Sequence, residues 1–337
     1  MVSPLTKNFK ITHTNQKTMR KAFLLTLLGF IMAVFASTSC ENNPPANGRT
    51  DTETSGEVTI ATDESLHPII QELIDDFEFK YPKAKINLLD TTENRGFELI
   101  RDMKTCLFFT TRPLKDSEVA YLKTKNQLPE SFPIGYDALS FIINPNNPDS
   151  CITVNDIKRI LNGDITKWSE AYPGSKLGNF DVVFDNKESA TLHYVVDSIL
   201  DGKPINNPNV TAAKTSAEVI EYVHNTPNAI GVIGSNWLND KNDTTNLTFI
   251  NKIRVMSVTT RETATPQNSW KPYAGYLLDG RYPFARTLYA IVVDPPRKLP
   301  YSFANYITKP VGQKIILRSG LLPYRGDIVI NYVNVKK

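Results

Sequence analysis

The apolar positions of this chain switch repeatedly between two spacings. Short apolar runs at 58–61, 84–89, 106–110, 181–184 and 229–233 have the length of buried strands, while Leu66, Ile69, Ile70, Leu73, Ile74 and Phe77 recur every three or four residues, which predicts an amphipathic helix over 65–81. The same reading predicts helices over 95–103, from Asp116 to about 125, and over 153–161, 190–200, 217–223 and 301–317. Thr153, with Asp156 three residues on, comes close to a capping box. A longer apolar run at 132–144, broken by Gly135 and closed by Asn144, Pro145, Asn146, Asn147 and Pro148, predicts a crossing into a second domain. Strands near 247–258 finish that half, the chain returns to the first half between about 273 and 291, and 328–335 reads as a terminal strand. Strands and helices in alternation predict an α/β fold built on largely parallel sheet.

A different pattern precedes this one. From Met19 the chain has a basic start at Arg20 and Lys21, an apolar run, and small residues from Ala36 to Ser39 ahead of Cys40. This is the organisation of a signal peptide over 1–39, with Met19 the better initiator. The run is shorter than the roughly 20 residues of a membrane span, which disfavours the alternative of an uncleaved anchor. The small residues before Cys40 resemble the lipobox of bacterial lipoproteins, although Ser37 stands where Leu is usual. That resemblance implies a lipid on Cys40 and residence in the periplasm on a bacterial membrane, the inner one favoured over the outer. Residues 40–56, polar and rich in Pro, Gly and Thr, read as a flexible tether.

Charge and cysteine content change accordingly. The formal net charge of +3 depends on residues 1–39, which hold five of the 38 Lys and Arg (Lys7, Lys10, Lys17, Arg20, Lys21) and no Asp or Glu. Without them 33 basic residues face 35 acidic ones, so overall charge gives no support to nucleic-acid binding. Cys106 and Cys151 both sit among apolar residues and read as buried free thiols. The remaining length is enough for two cores.

The candidate chemistry centres on 183–194. A buried strand at Asp181–Phe184, a polar turn, and Ser189 and Thr191 at the opening of the 190–200 helix bring two hydroxyls and unpaired backbone N–H groups together at the positive end of a helix dipole. The arrangement suits an oxyanion; the alternative is an ordinary Ser N-cap. Ser65 is a second hydroxyl at a helix start directly after a strand. No phosphate loop, zinc-protease motif, nucleophile elbow or paired cysteines at zinc spacing is present, so nothing in the sequence points to an enzyme. His67, His193 and His224 are expected on helix surfaces, with His67 and His193, which fall close to the two hydroxyl sites, alternatively lining the cleft or sensing pH; Trp168 and Trp237 are expected in cores.

Six blocks together resemble the substrate-binding proteins of phosphate-specific ABC transport: Thr111-Arg-Pro-Leu-Lys-Asp; Leu161-Asn-Gly-Asp-Ile-Thr-Lys-Trp; the Val182-Val183 strand with Ser189-Ala-Thr; Asn225-Thr-Pro-Asn-Ala-Ile-Gly-Val-Ile; Gly280-Arg-Tyr-Pro-Phe-Ala-Arg-Thr-Leu-Tyr; and Gly312-Gln-Lys-Ile-Ile with Gly320-Leu-Leu-Pro. The resemblance implies a type II periplasmic-binding-protein fold with two α/β lobes, 57–134 plus 275–337 and 135–274, and a ligand cleft at the hinge. It also implies inorganic phosphate or a similar oxyanion as ligand, an inner-membrane ABC permease as partner, a monomer, and no metal or cofactor. Matched positions place the ligand at Ser65 and Leu66, the 94–96 turn with Asn94, Thr111, Ser189, Ala190 and Thr191. This chain departs from the family in having Asp185 where an arginine is usual, Lys187 where an acid is usual, and Thr111 in place of an acidic acceptor. Arg95 or Arg112 could supply the missing positive charge, the alternative for both being a solvated side chain. Those departures keep two other readings open: a different oxyanion or phosphorylated metabolite, and a signalling or assembly lipoprotein that uses the scaffold without a small ligand.

Overall fold

The computed structural model describes residues 49–326 except Thr244 and Leu247. The expected signal peptide, Cys40 and the terminal strand at 328–335 lie outside the described residues. In chain order the strands are β1 (Ser55–Asp63), β2 (Lys83–Thr91), β3 (Leu107–Thr110), β4 (Glu130–Ile143), β5 (Cys151–Thr153), β6 (Asp181–Phe184), β7 (Val210–Ala212), β8 (Ala229–Gly234), β9 (Arg254–Val255), β10 (Ser257–Thr259), β11 (Ala285–Val292) and β12 (Leu322–Pro323). Most of them form one sheet in the order β2-β1-β3-β11-β4-β8-β6-β7, with β9 and β12 also paired to β4. β5 and β10 make a separate parallel pair.

Pairing is parallel at both ends of the order, β2-β1-β3 and β8-β6-β7, and antiparallel through the middle, where β11 and β4 run. The largely parallel expectation therefore describes the outer strands but not the two long central ones. The 14-residue β4 belongs to both halves, its first part pairing with β11 and its last part, from Leu139 to Ile143, with β8. Its last part, from Ala138 to Ile143, is buried throughout and apolar but for Ser140, because both of its faces are covered there.

Separate cores flank this shared centre. Ile60, Leu73, Phe77, Phe109 and Phe303 pack together in the first half, and Trp168, Phe180, Phe184 and Val232 in the second. Leu277, Tyr282 and Phe284 pack into the second core, whereas Leu288, Ala290 and Val292 pack into the first. The return crossing thus falls inside β11. The description of the chain as α/β with two core-bearing halves follows from these contacts.

Three segments differ from the sequence pattern for identifiable reasons. The expected helix over 301–317 is two helices, Leu299–Ile307 and Pro310–Arg318, because Pro310 has no N–H to donate and starts a new helix at its first position. The helix over 190–200 is regular for Ala190–Tyr194 and then continues as one π-helical turn, Val195–Ile199. The end of the expected tether is folded: Asp51 is buried, its carboxylate accepts the Leu299 N–H at 2.9 Å, and β1 starts at Ser55. Cys106 and Cys151 are half-buried rather than buried, and no disulfide joins them.

The 94–96 segment is not a turn but the opening of the helix Glu93–Arg101, capped by the Thr92 hydroxyl. Gly96 faces β3 across that helix, and a Cβ there would come within 2.1–2.6 Å of the Phe108 ring. Its glycine permits close helix-to-sheet contact. Gly96→Ala is expected to lower the unfolding free energy by about 1–3 kcal/mol through overpacking, read as a lower urea midpoint with an unchanged slope.

Candidate functional site

The carboxyl ends of the outer strands from both halves meet. Asp63 ends β1, Thr92 and Glu93 follow β2, Thr110 ends β3, Asp185 follows β6, and Ser216 opens the helix Ser216–Asn225 a few residues after β7. Strand ends in a parallel α/β layer leave helix N-termini and polar turns unpaired by the sheet, so such ends commonly form binding crevices. Here they face one another.

Carboxylates dominate this crevice. Asp63 is fully buried; its Oδ1 accepts from the Ser65 N–H at 3.1 Å and from the Ser65 hydroxyl, and its Oδ2 accepts from the Ala190 N–H at 3.1 Å. The next residue, Glu64, accepts from the Ser216 N–H at 3.0 and 3.1 Å and from the Ser216 hydroxyl at 2.9 Å. Two consecutive side chains of the first half therefore cap two different helices of the second. Glu93 bridges the halves too, taking the Thr110 hydroxyl at 2.6 Å and meeting His193 Nδ1 at 2.9 Å, while its N–H reaches the Glu188 carbonyl at 3.1 Å. Asn236 and Trp237 donate to the Ser65 carbonyl at 2.8 and 3.0 Å.

Behind Asp63 lies Asp185, whose Oδ1 accepts the Ser189 hydroxyl at 2.6 Å and the Asn186 N–H at 2.8 Å. Its buried Oδ2 has no well-formed partner. Arg286 supplies the nearby positive charge from the strand β11: it reaches the Thr191 hydroxyl at 3.4 Å and the Asp137 carboxylate at 2.6 Å, both members of this ion pair being fully buried. Asp137 and Arg286 are register partners on the two strands that cross between the halves. Gly234 leaves room for them, since a Cβ there would lie 2.7 Å from Arg286, Asn236 and Asp137.

The environment shifts these acids in opposite directions. Burial, with Asp185 nearby, pushes Asp63 up to about 7, and burial pushes Glu64 up to about 7. Burial also raises Asp185, while its bonds from Ser189 and Asn186, the Thr191 hydroxyl and the Arg286 charge pull it back. For Glu93 burial alone would act upward, but the bonds from His193 and Thr110 and the charges of His193 and Arg112 outweigh it and hold the group below the usual Glu range. The bond to Glu93 in turn raises His193.

Of the residues picked out by sequence, Ser65, Asp185, Ser189, Ala190 and Thr191 are brought together. Ser189 is the N-cap, its Oγ accepting the Leu192 N–H at 3.1 Å. Leu66 adjoins the crevice through the chain only, its side chain lying in the first core. A solvent-open cavity of about 470 Å³ beside the crevice is lined by Asp63, Glu64, Arg95, Ser189 and Thr215 among others; Arg95 is exposed there and pairs with Glu98 at 2.6 Å. Arg112 and Asn94 line a different cavity, where Arg112 grips Glu118 through two bonds of 2.9 Å and stacks 3.5 Å from the Phe97 ring. Thr111 is half-buried, and the hydroxyl that reaches Glu93 belongs to its neighbour Thr110. Lys187 is exposed, so exchange of sign with Asp185 leaves the acid inside and the base outside. Two further expectations are refined: His193 takes the cleft-lining alternative, pointing to Glu93 across the crevice, and Trp237, half-buried against the core around Val219 and Leu238, also bonds its indole N–H to the Ser65 carbonyl.

Sequence reasoning missed Asp63, Glu64, Glu93, Asp137 and Arg286. Three carried a readable signal: Asp137 is the lone acid within the apolar run at 132–144, and Asp63 and Glu64 stand just after the apolar run at 58–61. Among the described residues no group of His, Cys, Asp and Glu has the arrangement to hold a metal ion.

A sheet with two crossing strands, two separately cored α/β halves and a polar crevice at the strand ends defines the type II periplasmic-binding-protein fold. Residues 47–311 match the PBP superfamily domain, and the chain belongs to that superfamily. It is similar to the phosphate-binding protein PstS of Pseudomonas aeruginosa, with 22% identity over 284 residues covering 80% of this chain and 83% of that one, and to PstS of Borreliella burgdorferi, with 24% identity over 280 residues covering 79% and 89%. Among solved structures, a Clostridium perfringens protein with bound phosphate superposes with a TM-score of 0.65 at 20% identity, covering 80% of this chain and all of that one. An ABC-type phosphate transport receptor from Vibrio cholerae superposes with a TM-score of 0.58 at 17% identity and covers 80% and 100%.

Two outcomes follow from the electrostatics. Between the ordinary carboxylate range and about 7, the folded chain holds protons on Asp63 and Glu64 that the unfolded chain has released, so stability present in acid is lost as the pH rises through that window. Asp185 and His193, both raised, act in the same sense, and Glu93, lowered, opposes only at more acid pH. The melting temperature is expected to be higher near pH ~5.5 than near pH ~8 by about 3 °C or more, and Asp63→Asn to reduce that difference. Arg286→Met, which strands Asp137 in the interior, is expected to cost about 3–5 kcal/mol in denaturant unfolding.

Proposed function

We propose that this chain is an extracytoplasmic solute-binding lipoprotein that captures inorganic phosphate between two lobes and hands it to an inner-membrane ABC permease. In this reading it is a monomer without enzymatic activity, held in the periplasm by a lipid on Cys40. Its lobes are 57–134 with 275–337, and 135–274. The family to which it belongs and the phosphate-binding names of its relatives support the reading.

The observation that carries it is that the crevice already accommodates an oxyanion, the protein's own. The Asp63 carboxyl lies on the Ala190 N–H with the Ser65 hydroxyl on its other oxygen. A tetrahedral anion in that place would meet the Ala190 N–H at the positive end of the 190–199 helical run, the hydroxyls of Ser65, Ser189 and Thr191, and the charge of Arg286 behind Thr191. Arg286, paired with Asp137 and reaching Thr191, is the buried cation that would take the electrostatic role left empty by Asp185; Lys187 and Arg95 are exposed, and Arg112 pairs with Glu118.

One observation favours a second reading, in which the two-lobed scaffold works in signalling or assembly without a small ligand: the hydroxyls of Ser65 and Ser189 and the Ala190 N–H are all bonded within the chain. Another oxyanion or a phosphorylated metabolite is the remaining alternative. Isothermal titration with phosphate, sulfate and arsenate separates these. The transport reading expects saturable phosphate heat, weakened about tenfold or more in Ser189→Ala, the loss of a hydrogen bond to a charged acceptor. Preference for sulfate or arsenate would reassign the ligand, and absence of heat with all three would favour the scaffold reading.

A further inference from the structure

Asp63 and Glu64 do more than line the crevice. Each places a carboxyl on the first turn of a helix that belongs to the other half, Asp63 on Ala190 and Glu64 on Ser216, and both are consecutive residues at the end of one strand. A helix start offers several N–H groups with no partner in the helix, and a carboxyl satisfies them in the same way that an external oxyanion would. The Ser216–Asn225 helix has ten residues, and the Ala190–Tyr194 helix runs on without interruption through Val195–Ile199, so both are long enough to present such an end.

The surrounding groups fit a substitute ligand rather than an incidental contact. The Ser65 hydroxyl and N–H hold the inner oxygen of Asp63 from its own half, leaving the outer oxygen to reach across. Behind Asp63, Asp185 Oδ2 is buried with no well-formed hydrogen bond, and the two carboxyls raise each other's cost of ionisation. Asn236 and Trp237 tie the Ser65 carbonyl to the second half, so the segment 63–65 is stitched across at three successive residues.

We propose that Asp63 and Glu64 form a built-in double latch that holds the two halves shut in the absence of solute by occupying two helix starts of the second half. Solute reaches the Ala190 N–H only after Asp63 withdraws. The part concerning solute rests on the phosphate reading above; the closure itself does not. A latched chain populates its binding-competent form only in part, and the apparent affinity for solute falls by that fraction.

The test uses small-angle scattering and phosphate titration on the same proteins. The unmodified chain is expected to scatter alike with and without phosphate, whereas Asp63→Ala combined with Glu64→Gln is expected to expand when ligand-free. Ala190→Pro gives a second route from the opposite side, because it deletes the N–H that donates to Asp63, at a first helical position that proline tolerates after the extended Ser189. Expansion in both variants supports the latch; scattering identical to the unmodified chain in both overturns it. In titration, Asp63→Ala is expected to bind phosphate about tenfold more tightly. Binding that is unchanged or weaker overturns Asp63 as an internal competitor while leaving the transport reading intact. If neither protein binds phosphate, the transport reading fails and scattering alone decides the latch.

Discussion

The structure turns on how a group of buried acids is satisfied. The buried Asp63, Glu93, Asp137 and Asp185, with the half-buried Glu64, stand at the meeting of two α/β halves, and isolated carboxylates in such a place would cost far more than the fold can bear. They are tolerated because the architecture supplies what ionised or protonated carboxyls need: helix N–H groups from Ala190 and Ser216, hydroxyls from Ser65, Thr110, Ser189 and Ser216, the ring of His193, and the buried guanidinium of Arg286. Ala190, Ser216 and His193 lie across the crevice from the acids they serve, whereas Ser65, Thr110 and Ser189 serve acids of their own half. The contacts that satisfy Asp63, Glu64 and Glu93 therefore also hold the halves together.

This arrangement follows from the topology. Parallel outer strands direct their carboxyl ends toward one crevice, and the antiparallel pair of β4 and β11 carries the chain between halves beside it. The ion pair of Asp137 and Arg286 sits on those crossing strands, tying the charge of the crevice to the one region both halves share. Thr191 of the crevice and Arg286 of the crossing strand are joined by a hydrogen bond of 3.4 Å.

Much of the fold was legible in the sequence because it depends on local periodicity. The strand Asp181–Phe184 and the Ser189 cap are found where apolar spacing and a hydroxyl before a helix put them. The late helix was misread as continuous because apolar spacing persists through Pro310, whose missing N–H divides it. The site was legible only in part. Hydroxyls at helix starts announce themselves by position, but the partner of an acid is a tertiary fact: Asp63 is bonded 127 residues away and Glu64 152 residues away. Arg286 illustrates the same limit, since the comparison with the family offered Arg95 or Arg112 for the missing positive charge, whereas the buried guanidinium comes from a strand a hundred residues after Asp185.

The central claim is that an oxyanion and the Asp63 carboxyl compete for one place. Crystals of the chain grown with saturating phosphate measure this most directly. The account predicts phosphate density on the Ala190 N–H, with the Asp63 carboxyl moved off it. An Asp63 to Ala190 bond that persists at 3.1 Å, with phosphate absent from the crevice or bound elsewhere, would contradict it.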